Sequence, residues 1–462
     1  MSAIVASLVT HDRDTRESMA RDASGLVLVP EGVARPTSRD EVLAVLAEAA
    51  ATRTPVTAAG GQSSTTGASI TDRGTLVSLR GLARVLDMDA TARSVRVEPG
   101  VLLADLNREL ASTGLHFAPD PTSEWECTIG GAIACNASGA RSLRYGATRP
   151  HVRALTVALI TGEVLELRRT QLEKNTVGFA FAHDPVDWFI GSEGTLGVVL
   201  EAELALTPVP QQVLGLAVPF MREADALAFI AAARATKVLD PRCLEFFDAR
   251  ALEIARVAEG TTGWAADATA MVYTEDARDD GEPPLDHWLA LAESHDALAA
   301  DIRVYDGDGP LAEARRVRHA VPATMNERGA RHRAAGGRKV STDWAVPYRR
   351  LGEMLAIARG YADDAGIEQA VTYGHAGNGH PHQNFIAHDR DELHRIERVV
   401  ERTLRSVLTM GGTVAAEHGI GKLKAKWLPL QMSAVQQRAM WALKRELDPL
   451  GLLAPGNVLP AA

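Results

Sequence analysis

Ala59-Gly60-Gly61-Gln62-Ser63-Ser64-Thr65-Thr66-Gly67 follows a short apolar stretch, Pro55–Ala58, and decides how the first half of the chain is read. A strand that runs into a glycine-rich loop brings backbone N–H groups close together, and consecutive N–H groups make a concavity for an anion such as a pyrophosphate. Two further loops of this kind come before residue 200, Gly130-Gly131-Ala132 through Gly139 and Gly191–Gly197. Taken singly, each is an ordinary tight turn. Together they favour a dinucleotide.

Working outward, Ser38 or Thr37 can cap a helix whose apolar residues Val42, Leu43, Leu46 and Ala49 recur at helical spacing. Leu76–Leu79 and Ser94–Val97 read as strands and Leu102–Leu110 as a helix, whereas the glycine-rich stretch from Asp120 to Gly146 reads as a loop system. Val152–Ile160 and Glu163–Leu167 flank a Thr-Gly turn as a hairpin, and an alternating strand runs up to Thr207. Pro208-Val209-Pro210 marks a domain boundary. Beyond it the texture becomes α+β, with strands near Leu214–Val218, Cys243–Phe247 and Ala270–Tyr273, helices at Ala224–Ala235 and Leu351–Ala365, and a polar loop at Arg278–Pro284. A strand and turn are expected over Gly411–Gly419, and turns at Asp448–Gly451 and Pro455-Gly456 follow a last helix.

The 462 residues are 46% hydrophobic, which points to two or three packed units and excludes a disordered chain. No apolar run approaches the roughly 18–20 residues that cross a bilayer. The opening MSAIVASLVTHDRDTRE lacks a basic region ahead of its apolar stretch and reads as no secretory signal, so a cytoplasmic location is expected. A net charge of −10 argues against a nucleic-acid surface. Cys127, Cys135 and Cys243 are too few and too far apart for a disulfide framework or a cysteine-ligated cluster.

Two phosphate motifs are absent. Gly421-Lys422 is followed by Leu423, with Ala416 in place of the first glycine of a P-loop, and no strand leads into GxGxxG. Six of the 14 histidines, His375, His380, His382, His388, His394 and His418, crowd into one segment. Glycines around His375 and His382 let the chain bend so that these rings can converge, and Glu417-His418 offers a carboxylate and another imidazole. Two imidazoles and one carboxylate are a recurrent set for a catalytic divalent ion, while a neutral hydrogen-bonded cluster is the alternative reading.

Six ordered motifs now carry a resemblance that covers nearly the whole chain: AAGGQSSTTGAS, DPTSEWECTIGGAIACNASGARSLRYG, GSEGTLG, GHAGNGHPHQN, EHGIGK and DPLGLLAPGNVL. The chain resembles the FAD-linked oxidases of the vanillyl-alcohol-oxidase type, in the branch with D-lactate dehydrogenase, D-2-hydroxyglutarate dehydrogenase and the flavin subunit of glycolate oxidase. The resemblance implies an α+β protein: an FAD-binding domain of two α+β subdomains over residues 1–208, a substrate domain on an antiparallel sheet over 209–410, and a segment over 411–462 that returns to the flavin.

It also implies roles for individual residues. Gly60, Gly61, Ser63, Ser64 and Gly67 would surround the pyrophosphate, helped by Pro121, Thr122, Ser123, Gly130, Gly131, Ser138 and Gly139, with Gly194 to Val198 at the adenosine half. No histidine or cysteine lies in Ala59–Gly67, so FAD is expected to be noncovalent. His375, His382 and Glu417 would hold a divalent metal, zinc by analogy, with His418 as the base. Arg318 and Lys339 would bind the substrate carboxylate and Asn384 would add a hydrogen bond.

Departures from the family pattern are specific. Asn378 stands for an acidic residue of the metal loop and His380 for an asparagine; Pro322 replaces a hydroxyl residue, and Asn457 occupies the place of a terminal lysine. The expectation is an FAD-dependent dehydrogenase of D-2-hydroxy acids, D-lactate-like ones preferred. D-2-hydroxyglutarate or glycolate dehydrogenase, a metal-free alcohol oxidase of the same fold, and a non-catalytic flavin carrier are the alternatives. The electron acceptor would be an electron-transfer flavoprotein, a quinone or a cytochrome; no nucleic acid and no membrane span are expected, and a homodimer is allowed.

Overall fold

The computed structural model describes residues 8–170, 172–179 and 183–459. The start of the stretch weighed as a signal, residues 1–7, lies outside them. The chain forms two compact units: one takes the residues up to Ser138, Gly146–Val209 and Glu417 onward, the other Gly139–Tyr145 and Pro210–Ala416. The chain passes between the units at Val209–Pro210 and again at Ala416–Glu417.

Two larger sheets and a two-stranded pairing of Leu115–His116 with Thr207–Pro208 build the first unit among the described residues. β1 (Val9–Thr10), β2 (Gly32–Ala34), β3 (Val56–Ala59) and β4 (Thr75–Ser78) lie in the order β1-β2-β4-β3, with the β2–β4 and β3–β4 pairs parallel. Helix α1 (Arg39–Thr52) is the crossover from β2 to β3, which run the same way on either side of β4. Ser38 caps it by accepting the N–H of Glu41, and Val42, Val45, Leu46 and Ala49 pack with Val56 and Val77.

The second sheet is antiparallel throughout: β5 (Val85–Asp89), β6 (Ser94–Val97), β7 (Val152–Ala158), β8 (Val164–Arg168) and β9 (Val198–Ala205), in the order β5-β6-β9-β7-β8. The stretch read as a loop system holds helix α2 (Ile129–Cys135), capped by Thr128, whose Ile129 and Ile133 join the core of this sheet. Low aliphatic content hid it, because small residues suffice for two turns.

A seven-stranded antiparallel sheet organises the second unit: β10 (Gln212–Phe220), β11 (Pro241–Asp248), β12 (Ala270–Arg278), β13 (Arg303–Asp306), β14 (Gly336–Ser341), β15 (Val371–Gly374) and β16 (His382–Asp389). Their order is β13-β10-β12-β11-β15-β16-β14. Helices α3 (Ala249–Glu259) and α4 (Asp308–Ala330) cover one face, where Ala251, Leu252, Val321 and Met325 meet Phe247, Met271 and Tyr373. Gly411–Gly419 contains no strand; Thr413 makes one isolated bridge to Ala345. A Cβ on Gly412 would overlap the Ala345 carbonyl oxygen, so the two backbones approach closely at that bridge.

Candidate functional site

In the first unit the glycine loops converge on one cleft. Its lining includes Gly60, Gly61, Ser63 and Ser64 after β3, Pro121 and Ser123, Gly130 and Gly131 in α2, Ser138, Gly194, Val198 and His418. The cleft holds about 1120 Å³ of space free of atoms, its solvent mouth included. Gly67, Thr122 and Gly139 are not part of the lining, and Gly139 belongs to the other unit. A Cβ on Gly61 would overlap the carbonyl oxygen of Glu126, so the loop after β3 and the strand of chain entering α2 approach as closely as backbones allow. Backbone amides, hydroxyls and a helix start without basic side chains suit a bound pyrophosphate, and the donors present fit FAD.

Glu193, in the third glycine loop, went unnoticed in the sequence. Its carboxylate accepts the N–H of Ile420 at 2.5 Å and of Gly421 at 2.8 Å, fastening the Glu417–Lys422 segment to the cleft wall. Burial raises its pKa to about 7 against those hydrogen bonds, which pull the other way. His418 has φ 61°, a left-handed conformation costly for a side chain with a Cβ, and its carbonyl accepts from Thr66 Oγ1 at 3.3 Å. Its Nε2 lies 3.1 Å from Glu417 Oε1, and Ser138 Oγ donates to the other oxygen of Glu417 at 3.1 Å.

In the second unit a polar cluster lies on the helix-covered face of the sheet. Residues paired directly across antiparallel strands share a face. Glu245 pairs with Tyr273, and Tyr373 with His382, and Asn384 follows His382 on the same side. Asp343, His380 and His382 each offer one ligand atom, and these atoms lie within 4.8 Å of one another. His375 is close by, its ring centroid 5.2 Å from that of His382. The Nδ1 of His375 is 2.6 Å from Glu245 Oε1. Asn384 is fully buried; its Nδ2 donates to the His382 carbonyl and its Oδ1 has no hydrogen-bond partner. A buried amide oxygen left unmet on the strand that carries His382, with the imidazoles and Asp343 clustered at that residue, fits a divalent cation and a polar substrate.

Arg318 is directed at Glu245 Oε2 through Nε at 3.0 Å and Nη2 at 2.9 Å, both partners buried. It lies four residues before Pro322, whose missing N–H leaves the Arg318 carbonyl outside the helical ladder. Burial pushes Glu245 up, but His375 and Arg318 outweigh it and hold the carboxylate down at about 2. Lys339, on β14, has no hydrogen-bond or ion-pair partner for its Nζ among the described residues, and burial lowers its pKa to about 8. A second buried carboxylate, Glu275, takes Arg242 Nε at 2.5 Å, Arg141 Nε at 3.1 Å and the Tyr273 hydroxyl at 2.8 Å. Asp343 and Glu245 have no spacing relation to the histidine motif; strand pairing brings Glu245 to it, and backbone bonds on either side of Asp343 bring that residue.

Comparison with known proteins agrees with this anatomy. Residues 30–168 match the FAD binding domain family and residues 209–458 the FAD linked oxidases, C-terminal domain. The chain is 33% identical over 439 residues to a D-2-hydroxyglutarate dehydrogenase of Xanthomonas citri pv. viticola, covering 93% of this chain and 89% of the relative. It is 30% identical to a D-lactate dehydrogenase of Anaerostipes hadrus and 29% identical to a glycolate oxidase subunit GlcD of Bacillus subtilis, each match covering 93% of this chain and 89% of the relative. A solved alkyldihydroxyacetonephosphate synthase shares the fold at a TM-score of 0.74 and 17% identity, over 98% of this chain and 84% of that one. Among the described residues no helix is long and apolar enough to cross a membrane. With both domains matched in order and three hydroxy-acid relatives aligned over nearly their full length, the chain belongs to the FAD-linked oxidases, in their D-lactate, D-2-hydroxyglutarate and glycolate branch.

Proposed function

We propose that this protein oxidises a D-2-hydroxy acid, D-lactate-like in size, to the 2-oxo acid. Noncovalent FAD in the glycine cleft would supply a hydride acceptor at N5, and a divalent cation, zinc by analogy, would supply the charge that acidifies the substrate hydroxyl. His375, His382 and Glu417 are the proposed ligands. His418 accepts the hydroxyl proton. Arg318 and Lys339 bind and orient the carboxylate, and Asn384 donates to or accepts from the substrate once it is bound.

The observation that carries this reading is the position of His418 in the lining of the same cleft as Gly60, Gly61 and Gly131. An imidazole there serves proton transfer beside a flavin; a bare electron carrier has no use for one. Lys339 supports the substrate class, since a buried ammonium without a counter-ion gains most from an anionic ligand. Electrons would then pass to an outside acceptor, an electron-transfer flavoprotein, a quinone or a cytochrome. A cytoplasmic location and a homodimer are part of the same proposal.

Anaerobic mixing with a panel of D- and L-2-hydroxy acids tests it. Bleaching of the oxidised flavin by a D-acid, with the 2-oxo acid formed in equal amount, is the expected result. Should no hydroxy acid bleach the flavin, the carrier reading replaces it.

A further inference from the structure

We propose that Asp343 and His380 belong, with His382, to the inner coordination sphere of the divalent cation, so that the second unit carries a two-imidazole, one-carboxylate donor set of its own. The inference rests on the reading that a cation is held here, and it adds two residues that reading leaves out.

Backbone geometry explains why the three meet. Thr342 N–H donates to the Gln383 carbonyl at 2.9 Å, and Val346 N–H to the Gly379 carbonyl at 3.1 Å. These two bonds bracket Asp343 on one side and His380 and His382 on the other. Gly379 takes φ +70°, and a Cβ there would overlap the Val346 carbonyl oxygen, so the turn before His380 is pressed onto the segment after Asp343. All three side chains are buried, with Asp343, His380 and His382 at 3%, 4% and 5% exposure.

Donor geometry is the second argument. His380 Nε2 is 3.2 Å from Asp343 Oδ1, yet Nε2 makes no aligned hydrogen bond. Two donors aimed at a common third point have this relation. With metal–ligand lengths of about 2.0–2.2 Å, neighbouring donors lie roughly 3.3–3.6 Å apart in a tetrahedral shell and about 3.0 Å apart in an octahedral one. The observed separation falls between these values. Asn384 Oδ1, buried without a partner on the strand that carries His382, independently marks the site as built for something more than protein. His375 differs from the other two rings in having its Nδ1 committed to Glu245.

The test uses full-length, FAD-loaded protein stripped of metal and titrated with Co²⁺, followed by EPR, to which oxidised flavin contributes no signal, with stoichiometry from elemental analysis. Wild type is expected to bind one Co²⁺ per chain. His380→Asn and Asp343→Asn should each weaken binding by about 10-fold or more and change the Co²⁺ spectrum, with flavin content unchanged. If both variants keep wild-type affinity and spectrum while His382→Ala loses the ion, this inference fails and the cation reading stands. If wild type itself binds no Co²⁺ or Zn²⁺, both fall. His380→Asn decides the matter alone should Asp343→Asn fail to fold.

Discussion

Glu245 joins His375 and Arg318: one oxygen lies 2.6 Å from His375 Nδ1 and the other accepts both Nε and Nη2 of Arg318. A carboxylate behind an imidazole fixes the ring and its tautomer, leaving Nε2 to face outward. Removing its charge would also strand a buried guanidinium. Glu245→Gln should therefore destabilise the protein by about 3–5 kcal/mol, the usual cost of breaking a buried ion pair. Where the variant still folds, cation affinity should fall about 10- to 100-fold. Denaturant midpoints and a metal titration measure the two effects; unchanged midpoints would mean that Arg318 finds compensation elsewhere.

Glu275 sets an acid limb on stability. Burial alone would raise its pKa, but Arg141 and Arg242 bring it down to about 2 from an ordinary 4.5. A folded pKa below the unfolded one means that the stabilisation is complete above pH 4.5 and is lost as pH falls through about 2. Denaturant midpoints of wild type should decline across that window. Glu275→Gln should lower the midpoint near neutral pH and flatten the decline, and an equally steep acid limb in the variant would assign the titration to another group.

The sequence exposes some of these features and hides others for identifiable reasons. Helix α1 was legible because Ser38 and the apolar spacing from Val42 to Ala49 are local signals, and the hairpin β7–β8 because its Thr-Gly turn is one. Gly60, Gly131 and His418 could be placed at one cleft only through six motifs taken in order. Asp343 could not be singled out. It lies 37 residues before His380, and its neighbourhood follows from two backbone bonds between segments that share no pattern. Glu275 and Arg141 are likewise 134 residues apart, joined by tertiary packing alone. Helix α2 was missed because Gly130 and Gly131 read as loop residues, although Thr128 caps the turn they open.

His418→Asn separates chemistry from cofactor binding. The amide keeps approximate size and polarity in the cleft but cannot accept a proton at neutral pH. Turnover with the best D-2-hydroxy acid should fall about 10²-fold or more while flavin content and absorbance stay at wild-type levels. Rapid-mixing rates of flavin reduction report this directly. Near-normal reduction would remove His418 from the reaction and return it to a structural role at its left-handed position.

Lys339 gives a pH signature that a structural lysine would lack. With its pKa lowered to about 8 by burial and no counter-ion among the described residues, its ammonium begins to lose its proton just above neutrality in the free enzyme. Only the protonated form attracts a substrate carboxylate, and substrate binding in turn raises the pKa. Affinity should therefore be full below pH 8 and decline as pH rises through it, so that kcat/KM falls while kcat at saturation changes less. Lys339→Met should raise KM by about 10-fold or more and abolish that alkaline limb, because the cation is gone at every pH. Retention of the same descending limb in the variant would assign the titration to another group, and an unchanged KM would remove Lys339 from carboxylate binding.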